Sequence, residues 1–169
     1  MTKLIVLRGN SGSGKSVVAR EVQSRVEPHP VLIEHDHFRR KILKEKEGPD
    51  SINADLIYRT VAYAFEHDRD VIIEGIMRMK YYSNLFDRLI QLNQGETYFY
   101  YFDVSFDETL RRHNSKNNVD FGEVEMKRWY MPNDYTGYDT EIAILESNTL
   151  EDTVSQIISQ TGFNTRISS

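Results

Sequence analysis

Residues 9–16 read Gly9-Asn10-Ser11-Gly12-Ser13-Gly14-Lys15-Ser16 and fit the pattern G-x-x-x-x-G-K-[ST] at every fixed position. Glycines let the backbone curl until successive N–H groups point inward, and they keep side chains out of the space that a phosphate needs. The lysine of this pattern reaches the β- and γ-phosphates of a nucleotide, and the final hydroxyl ligates Mg²⁺. This stretch, called the phosphate loop below, predicts a nucleotide site to which all eight residues contribute.

The segments on either side of the phosphate loop support this prediction. Residues 3–7 form a short apolar run that is typical of a buried strand. Residues 15–26 carry Val18, Val22 and Val26 at four-residue spacing, which predicts a helix with one apolar face. A strand before the loop and a helix after it direct the positive end of the helix dipole at a bound phosphate.

Composition excludes several classes of protein. The 169 residues include no cysteine, so neither disulfides nor a cysteine-based zinc site is available. No stretch is apolar for long enough to span a membrane or to act as a secretory leader, so we expect a cytoplasmic protein. The formal net charge of −5 does not favour nucleic acid as a partner, although a local basic groove would still permit it.

Strands and helices alternate along the chain. Further strands are predicted at residues 31–33, 70–75, 97–104 and 142–145, and further helices at residues 41–47, 53–68, 80–93, 107–114, 123–131 and 150–160. The strands are continuous apolar runs, which is typical of a parallel sheet covered on both faces. We therefore expect one α/β domain over residues 1–169. Ligands of such sheets bind beyond the carboxyl ends of the strands.

That rule directs attention to the polar residues that follow the second strand. Asp36 and Arg39 are three positions apart, so at the start of a helix they face the same side. A carboxylate there accepts a proton from a substrate hydroxyl, and a guanidinium binds phosphate. The alternative is a helix cap beside a solvated arginine. His35 and His37 also resemble part of a metal site, but no further cluster supplies the remaining ligands.

Glu74 ends the third strand, where phosphate-loop proteins place a carboxylate that supports Mg²⁺. That residue is usually aspartate, so the longer glutamate leaves three roles open: metal support, water positioning and substrate binding. Gly75 permits close approach of a ligand, and Arg78 is a candidate substrate contact.

A polar stretch without periodicity, residues 115–122, is flanked by Arg111 and Arg112. Phosphoryl transfer spreads negative charge over the transferred group, and arginines from a closing lid stabilise that charge. We predict a lid at about residues 112–131, with Arg112 catalytic and Arg111 binding ATP. Trp129, Tyr130 and Tyr135 are candidates for lining a substrate pocket.

These segments, in this order, resemble the P-loop kinases of the nucleoside- and polynucleotide-kinase type. The stretch Asp36-His37-Phe38-Arg39 and the lid segment 110–116 are similar to those of phage 5′-polynucleotide kinase. Residues 73–76 look more like uridine kinase, and the chloramphenicol phosphotransferase family shares the layout. The resemblance implies a five-stranded parallel sheet in the order 2-3-1-4-5. It also implies that Asp36 is the base, that Arg39 contacts the substrate, and that Asn148 approaches the adenine.

The sequence thus predicts a kinase that uses ATP and Mg²⁺ to phosphorylate a hydroxyl group. Lys15, Asp36, Arg39 and Arg112 are its candidate catalytic residues. The acceptor stays open among nucleosides, nucleic-acid 5′ ends and antibiotic-like alcohols. The rival interpretation is a nucleotide-dependent switch that has no acceptor, and such a switch needs loops that sense the γ-phosphate.

Overall fold

The computed structural model describes residues 1–93, 96–117 and 119–165. Five parallel strands form one sheet in the order β2-β3-β1-β4-β5, as the resemblance implied. The strands are β1 (Leu4–Gly9), β2 (Val31–Glu34), β3 (Val71–Gly75), β4 (Thr97–Asp103) and β5 (Ile142–Leu145). The helices are α1 (Lys15–Arg25), α2 (His35–His37), α3 (Asn53–Glu66), α4 (Met79–Asn93), α5 (Phe106–Asn114), α6 (Glu123–Trp129) and α7 (Leu150–Thr161). Gly95, the stop signal that the sequence suggests for α4, lies outside the described residues.

Two apolar cores explain why the strands are continuous apolar runs. Alternate residues of β1 point to opposite faces, so Leu4 and Val6 belong to the core under α3 and α4. Ile5 and Leu7 belong to the core under α1 and α7. Every residue of β1 is buried, because the strand lies at the centre of the sheet with helices on both sides. The aromatic strand β4 lies beside it and contributes to both cores.

The prediction of a charged helix at residues 41–47 is wrong. A π-helical segment, Phe38–Ile42, follows α2, and the chain then leaves helical geometry, with Lys44 at φ 54°. The Glu45 carboxylate accepts hydrogen bonds from the Ser51 hydroxyl and from the backbone N–H of Ile52, and these bonds close a loop. Residues 41–47 offer no apolar stripe to pack against the core, and isolated short helices are marginal in water.

Helix α5 begins after a serine cap, and the capping box that the pattern Ser105-x-x-Glu108 suggests is only half formed. The Ser105 hydroxyl accepts a hydrogen bond from the backbone N–H of Glu108, at 3.3 Å. The Glu108 carboxylate turns instead to Arg111 and Arg112, which hold its pKa at about 2. Glu146, after β5, accepts the Ser105 backbone N–H in its place, at 3.0 Å. Competition from two guanidinium groups explains the difference.

A buried arginine on the central strand ties two loops to the sheet. Arg8 is fully buried, and its guanidinium donates to the backbone carbonyl of Met77 and to the Asp134 carboxylate. Burial lowers its pKa, and the carboxylates of Asp134 and Glu141 offset part of that cost. These contacts fix the segment after β3 and the segment after α6 on the same side of the site.

Candidate active site

The phosphate loop has the backbone geometry that its glycines predict. Gly12 and Gly14 adopt φ values of +80° and +99°, in the left-handed region that side chains rarely enter. A Cβ on Gly12 would lie 2.6 Å from the backbone oxygen of Thr109, so the loop packs closely against α5. Gly14 directly precedes α1, and the free N–H groups of that helix point into the loop.

Lys15 lies inside the loop that it completes. Its ammonium group is buried and donates to the backbone oxygen of Asn10, at 3.0 Å. Burial lowers the Lys15 pKa, while Glu74 and Asp36 act in the opposite direction. The cation is therefore placed among backbone groups and two carboxylates, with little water around it.

Ser16 and Glu74 form the hydroxyl–carboxylate pair that a magnesium site requires. The Ser16 hydroxyl donates to Glu74 Oε2, at 3.0 Å. Burial raises the Glu74 pKa, and Lys15 and Ser16 oppose that rise. Within residues 1–93, 96–117 and 119–165, no group of three His, Asp or Glu side chains is arranged to hold a metal. A magnesium ion at Ser16 and Glu74 fits this oxygen chemistry if phosphate and water complete its shell.

Asp36 lies in the same cleft as Lys15, Ser16 and Glu74. This cleft, called the Asp36 cleft below, has a volume of about 350 Å³. Parallel pairing brings the ends of β1, β2 and β3 to one edge of the sheet, with Glu34 in register with Glu74. Asp36 follows β2 by two residues, and its carboxylate is 57% exposed. The sheet therefore brings together the four residues that the sequence singled out at three separate places.

Arg39 is bound to its neighbours in this structure. One guanidinium nitrogen is 3.2 Å from Asp36 Oδ1, which confirms the expected shared side, and another donates to the Glu45 carbonyl. Arg40 and Lys41 line the Asp36 cleft instead. Neither side chain forms an ion pair or hydrogen bond within the described residues. The role of Arg39 as a substrate contact stays a prediction.

Two further residues, to which the sequence had assigned no role, line the Asp36 cleft. Glu34 ends β2, and Arg20 lies four residues after Ser16 on α1. Arg20 and Glu34 pair with each other at the cleft wall. Helical spacing from Ser16 was the available signal for Arg20.

Arg78 connects two segments that are distant in sequence. It donates to the Trp129 carbonyl, at 2.7 Å, and lies 3.5 Å from a Glu47 carboxylate oxygen. These contacts join the end of α6 to the loop after the π-helical segment. Its predicted contact with substrate is not tested by this arrangement.

Arg112 reaches the phosphate loop from α5. Its guanidinium donates to the Ser13 carbonyl at 2.8 Å, to the Glu146 carbonyl at 3.1 Å and to the Glu108 carboxylate at 2.7 Å. Arg111 pairs with Glu108 and is 71% exposed. Both arginines line a second cleft of about 410 Å³ beside the loop, together with Asn148, and this is called the Asn148 cleft below.

Asn148 itself closes the turn between β5 and α7. Its side-chain oxygen accepts the backbone N–H of Leu145, at 3.0 Å, and its own N–H donates to the Leu145 carbonyl. Asn148 therefore shapes the wall of the second cleft through the backbone.

The end of the predicted lid is attached to the phosphate loop by a side chain. Asn10 Nδ2 donates to the Met131 carbonyl at 2.8 Å, and the Met131 N–H donates to Asn10 Oδ1 at 2.9 Å. At the other end, the His113 ring stacks on Phe121 and hydrogen-bonds its carbonyl. Lys116 and Asp120, between these anchors, line the Asp36 cleft.

The aromatic residues proposed to line a substrate pocket have other partners. Trp129 packs edge-on against Phe121. The Tyr130 hydroxyl donates to the Val104 carbonyl, and the Tyr135 hydroxyl donates to Asp103. These side chains hold the segment around α6 against the sheet.

Gly75 accommodates a histidine ring. A Cβ on Gly75 would lie 2.5 Å from the Cβ of His35, so the room expected for a ligand is filled from within the protein. His35 Nε2 lies 2.7 Å from the Tyr82 hydroxyl, so that nitrogen is committed to a hydrogen bond. His37 is exposed and lines the Asp36 cleft. The two histidines therefore do not point to one metal.

A family profile described as AAA domain matches residues 4–130, which is more than half of the chain. The chain belongs to the AAA domain family. The match covers the phosphate loop, the Asp36 segment, Glu74 and most of the predicted lid. Among curated proteins, no sequence relative was found for this member of the family.

Solved structures with the same fold include P-loop kinases. A sugar kinase from Janibacter sp. HTCC2649 superposes with a TM-score of 0.71 at 13% identity, over 96% of each chain. A gluconokinase from Sinorhizobium meliloti 1021 gives 0.67 at 16% identity, over 95% of this chain and 91% of its own. The APS kinase of Mycobacterium tuberculosis, solved with AMPPNP and APS, gives 0.67 at 15% identity, over 94% and 96%. At these identities, the likeness shows that this AAA domain has the P-loop kinase fold.

Proposed function

We propose that the protein is an ATP- and Mg²⁺-dependent kinase that transfers the γ-phosphate of ATP to a hydroxyl group of an acceptor. The observation that carries the proposal is the shared cleft of Asp36, Lys15, Ser16 and Glu74. A carboxylate that faces a phosphate loop across open space suits proton removal from a hydroxyl placed between them.

The proposed roles follow from the geometry. The loop N–H groups and Lys15 bind the β- and γ-phosphates, and Arg112 holds the loop carbonyl of Ser13 from the lid side. Ser16 and Glu74 would hold Mg²⁺, which supplies charge neutralisation at the phosphate oxygens when bound. Asp36 accepts the proton of the acceptor hydroxyl, and Arg39 orients its carboxylate.

We further propose that residues 1–169 form one kinase domain in which residues 112–131 act as a lid. The lid arginines lie beside the phosphate loop, and Asn10 attaches the end of the lid to that loop. The base of ATP would occupy the Asn148 cleft, which adjoins the loop on the side away from Asp36.

The acceptor is proposed to be a small hydroxyl compound rather than a nucleic acid. The net charge of −5 gives no general attraction for a polyanion. In the described part of the chain, no helix is both long and apolar enough to cross a membrane.

A phosphotransfer screen with labelled ATP tests the proposal. The panel would hold sugars, sugar acids, nucleosides, 5′-hydroxyl oligonucleotides and amino-alcohol antibiotics, with Lys15→Ala as the blank. We expect label on at least one acceptor and faster ADP release when that acceptor is present. Slow ATP hydrolysis that no acceptor accelerates would instead support the nucleotide switch.

A further inference from the structure

A chain of hydrogen bonds runs inward from Glu45 and determines where its protons lie. The hydrogen bond from the Ser51 hydroxyl lowers the Glu45 pKa, so its carboxylate only accepts. The single Ser51 proton is used on Glu45. The Asn53 atom beside Ser51 Oγ must therefore donate, which makes it the amide nitrogen, and that nitrogen is also 3.5 Å from Glu45.

The orientation of Asn53 determines the direction of the hydrogen bond that it shares with Tyr82. With its nitrogen turned to Ser51, Asn53 presents its oxygen to the Tyr82 hydroxyl, 3.0 Å away. Tyr82 donates its only proton to that oxygen, so its own oxygen accepts from His35 Nε2, at 2.7 Å. His35 therefore carries a hydrogen on Nε2.

The other nitrogen of His35 carries no proton. The His35 side chain is 2% exposed, and burial lowers its pKa to about 4, with Arg39 and Lys15 acting in the same direction and Asp36 against them. Since the neutral ring holds one proton, Nδ1 is a bare acceptor. It is buried, has no hydrogen-bond partner among the described residues, and lies 4.0 Å from Asp36 Oδ1.

The unprotonated Nδ1 of His35 can form a hydrogen bond with the Asp36 carboxyl group only when that group is protonated. Both groups accept, so they form no hydrogen bond while Asp36 is ionised. In the proposed reaction, the acceptor O–H bond breaks and its proton moves to Asp36. The freed oxygen forms a bond to the γ-phosphorus, and the bond from phosphorus to ADP breaks with its electron pair going to ADP. Asp36 then carries an O–H group that can donate a hydrogen bond to Nδ1 of His35.

We propose that His35 is a positioning residue whose unprotonated Nδ1 accepts a hydrogen bond from Asp36 once Asp36 has taken the acceptor proton. This inference rests on the proposed kinase function. Tyr82 and Asn53 hold the tautomer that makes the hydrogen bond available, because the opposite tautomer would donate to the ionised carboxylate and make it a weaker base.

Nitrogen NMR of the wild-type protein labelled with ¹⁵N-histidine tests the tautomer without ATP or acceptor. We expect the His35 signals at neutral pH to show a protonated Nε2 and an unprotonated Nδ1. Assignment uses the loss of those signals in His35→Gln. A protonated Nδ1 overturns the inference and leaves the proposed function untouched.

Two substitutions of His35 separate positioning from packing. Asparagine places a polar atom near Nδ1 and loses the contact with Tyr82, whereas glutamine reaches Tyr82 and loses the atom near Nδ1. We expect kcat to fall roughly ten-fold in His35→Gln and only about two- to three-fold in His35→Asn, with KM for ATP unchanged in both. A purely structural His35 would give the reverse order, and that result would overturn the inference.

Tyr82→Phe provides a check that leaves His35 in place. Without the phenol oxygen, Nε2–H loses its partner, and the ring can turn to the tautomer with Nδ1 protonated. We expect the ¹⁵N signals of His35 to show that change and kcat to fall several-fold. Tyr81→Phe is the matched control, because the Tyr81 hydroxyl has no hydrogen-bond partner in the described part of the chain. Equal effects of the two variants on kcat would contradict the inference.

These measurements distinguish the two possible failures. If Nδ1 is unprotonated but no acceptor is phosphorylated, the proposed function is wrong, and the role given to His35 falls with it. If an acceptor is phosphorylated and Nδ1 is protonated, only the inference about His35 is wrong.

Discussion

The two clefts beside the phosphate loop differ in whether the arginine and lysine side chains that line them are paired within the protein. In the Asn148 cleft, Arg112 has three partners, Arg111 is paired with Glu108, and Asn148 closes its own turn. In the Asp36 cleft, Arg40 and Lys41 lack partners among the described residues.

The contacts of Arg111, Arg112 and Asn148 show that the Asn148 side is preorganised. The Asn148 side is held in shape by hydrogen bonds within the protein, so a ligand there would find the two arginines already positioned. On the Asp36 side, Arg40 and Lys41 keep exposed charges without protein partners among the described residues, so they are available to a ligand. In the proposed kinase, nucleotide binding and acceptor binding would therefore depend on different parts of the chain.

Removal of the Lys15 ammonium group should lower kcat more than any other change, because Lys15 lies where the proposed nucleotide and acceptor sites meet. We expect Lys15→Ala to lower kcat by at least about 1,000-fold and to weaken ATP binding. Measurement needs a phosphotransfer assay and ATP titration, with circular dichroism to confirm folding. A folded variant with normal turnover would refute the nucleotide site itself.

Asp36→Asn should affect the chemistry of one cleft and leave the other intact. The amide keeps the size of the side chain but removes the basic oxygen, so we expect kcat to fall about 100-fold or more. ATP affinity should stay within a few-fold of wild type. Asp120→Asn, in the same cleft, is the control. If Asp36 only caps the helix, asparagine will serve as well and kcat will barely change.

The lid arginines should differ from each other. Arg112 contacts the loop, whereas the guanidinium of Arg111 pairs with Glu108. We therefore expect Arg112→Ala to lower kcat about 30-fold and Arg111→Ala no more than about three-fold. Steady-state kinetics at saturating acceptor measure both. Equal losses would mean that the resting contacts do not identify the catalytic arginine.

The smallest effect concerns the unpartnered cations. A double Arg40→Ser, Lys41→Ser variant should raise KM about three- to ten-fold for an acceptor with a negative group, and leave KM unchanged for a neutral analogue and for ATP. The matched acceptor pair supplies the control. Identical behaviour of the two acceptors would show that these cations are only a solvated surface.

Sequence reasoning succeeded where one local pattern fixes one local structure. Glycines at positions 12 and 14 permit left-handed backbone, and both adopt it. The apolar runs predicted the strands, and the ends of two of them predicted the cleft residues Asp36 and Glu74. The strand order came from the resemblance, since periodicity contains no information about neighbours in a sheet.

The failures share a cause, which is that side-chain partners outside the local sequence pattern decide the outcome. Residues 41–47 have good helix propensity, yet the Glu45 carboxylate accepts a hydrogen bond from the Ser51 hydroxyl, and this bond closes a loop. Gly75 looked like space for a ligand, but His35 fills it from the start of α2. Arg8 sits in an apolar run and gave no signal, because its partners Asp134 and Glu141 lie more than 120 residues away.

Asn10 shows that a variable position of a sequence motif can carry information about a remote segment. The pattern allows any residue there, but the N–H and C=O of Met131 need one acceptor and one donor on the same short side chain. Aspartate would supply only acceptors, and an apolar residue would supply neither. In related chains, the residue after the first glycine of the loop should therefore vary together with the conformation in which the lid rejoins the sheet.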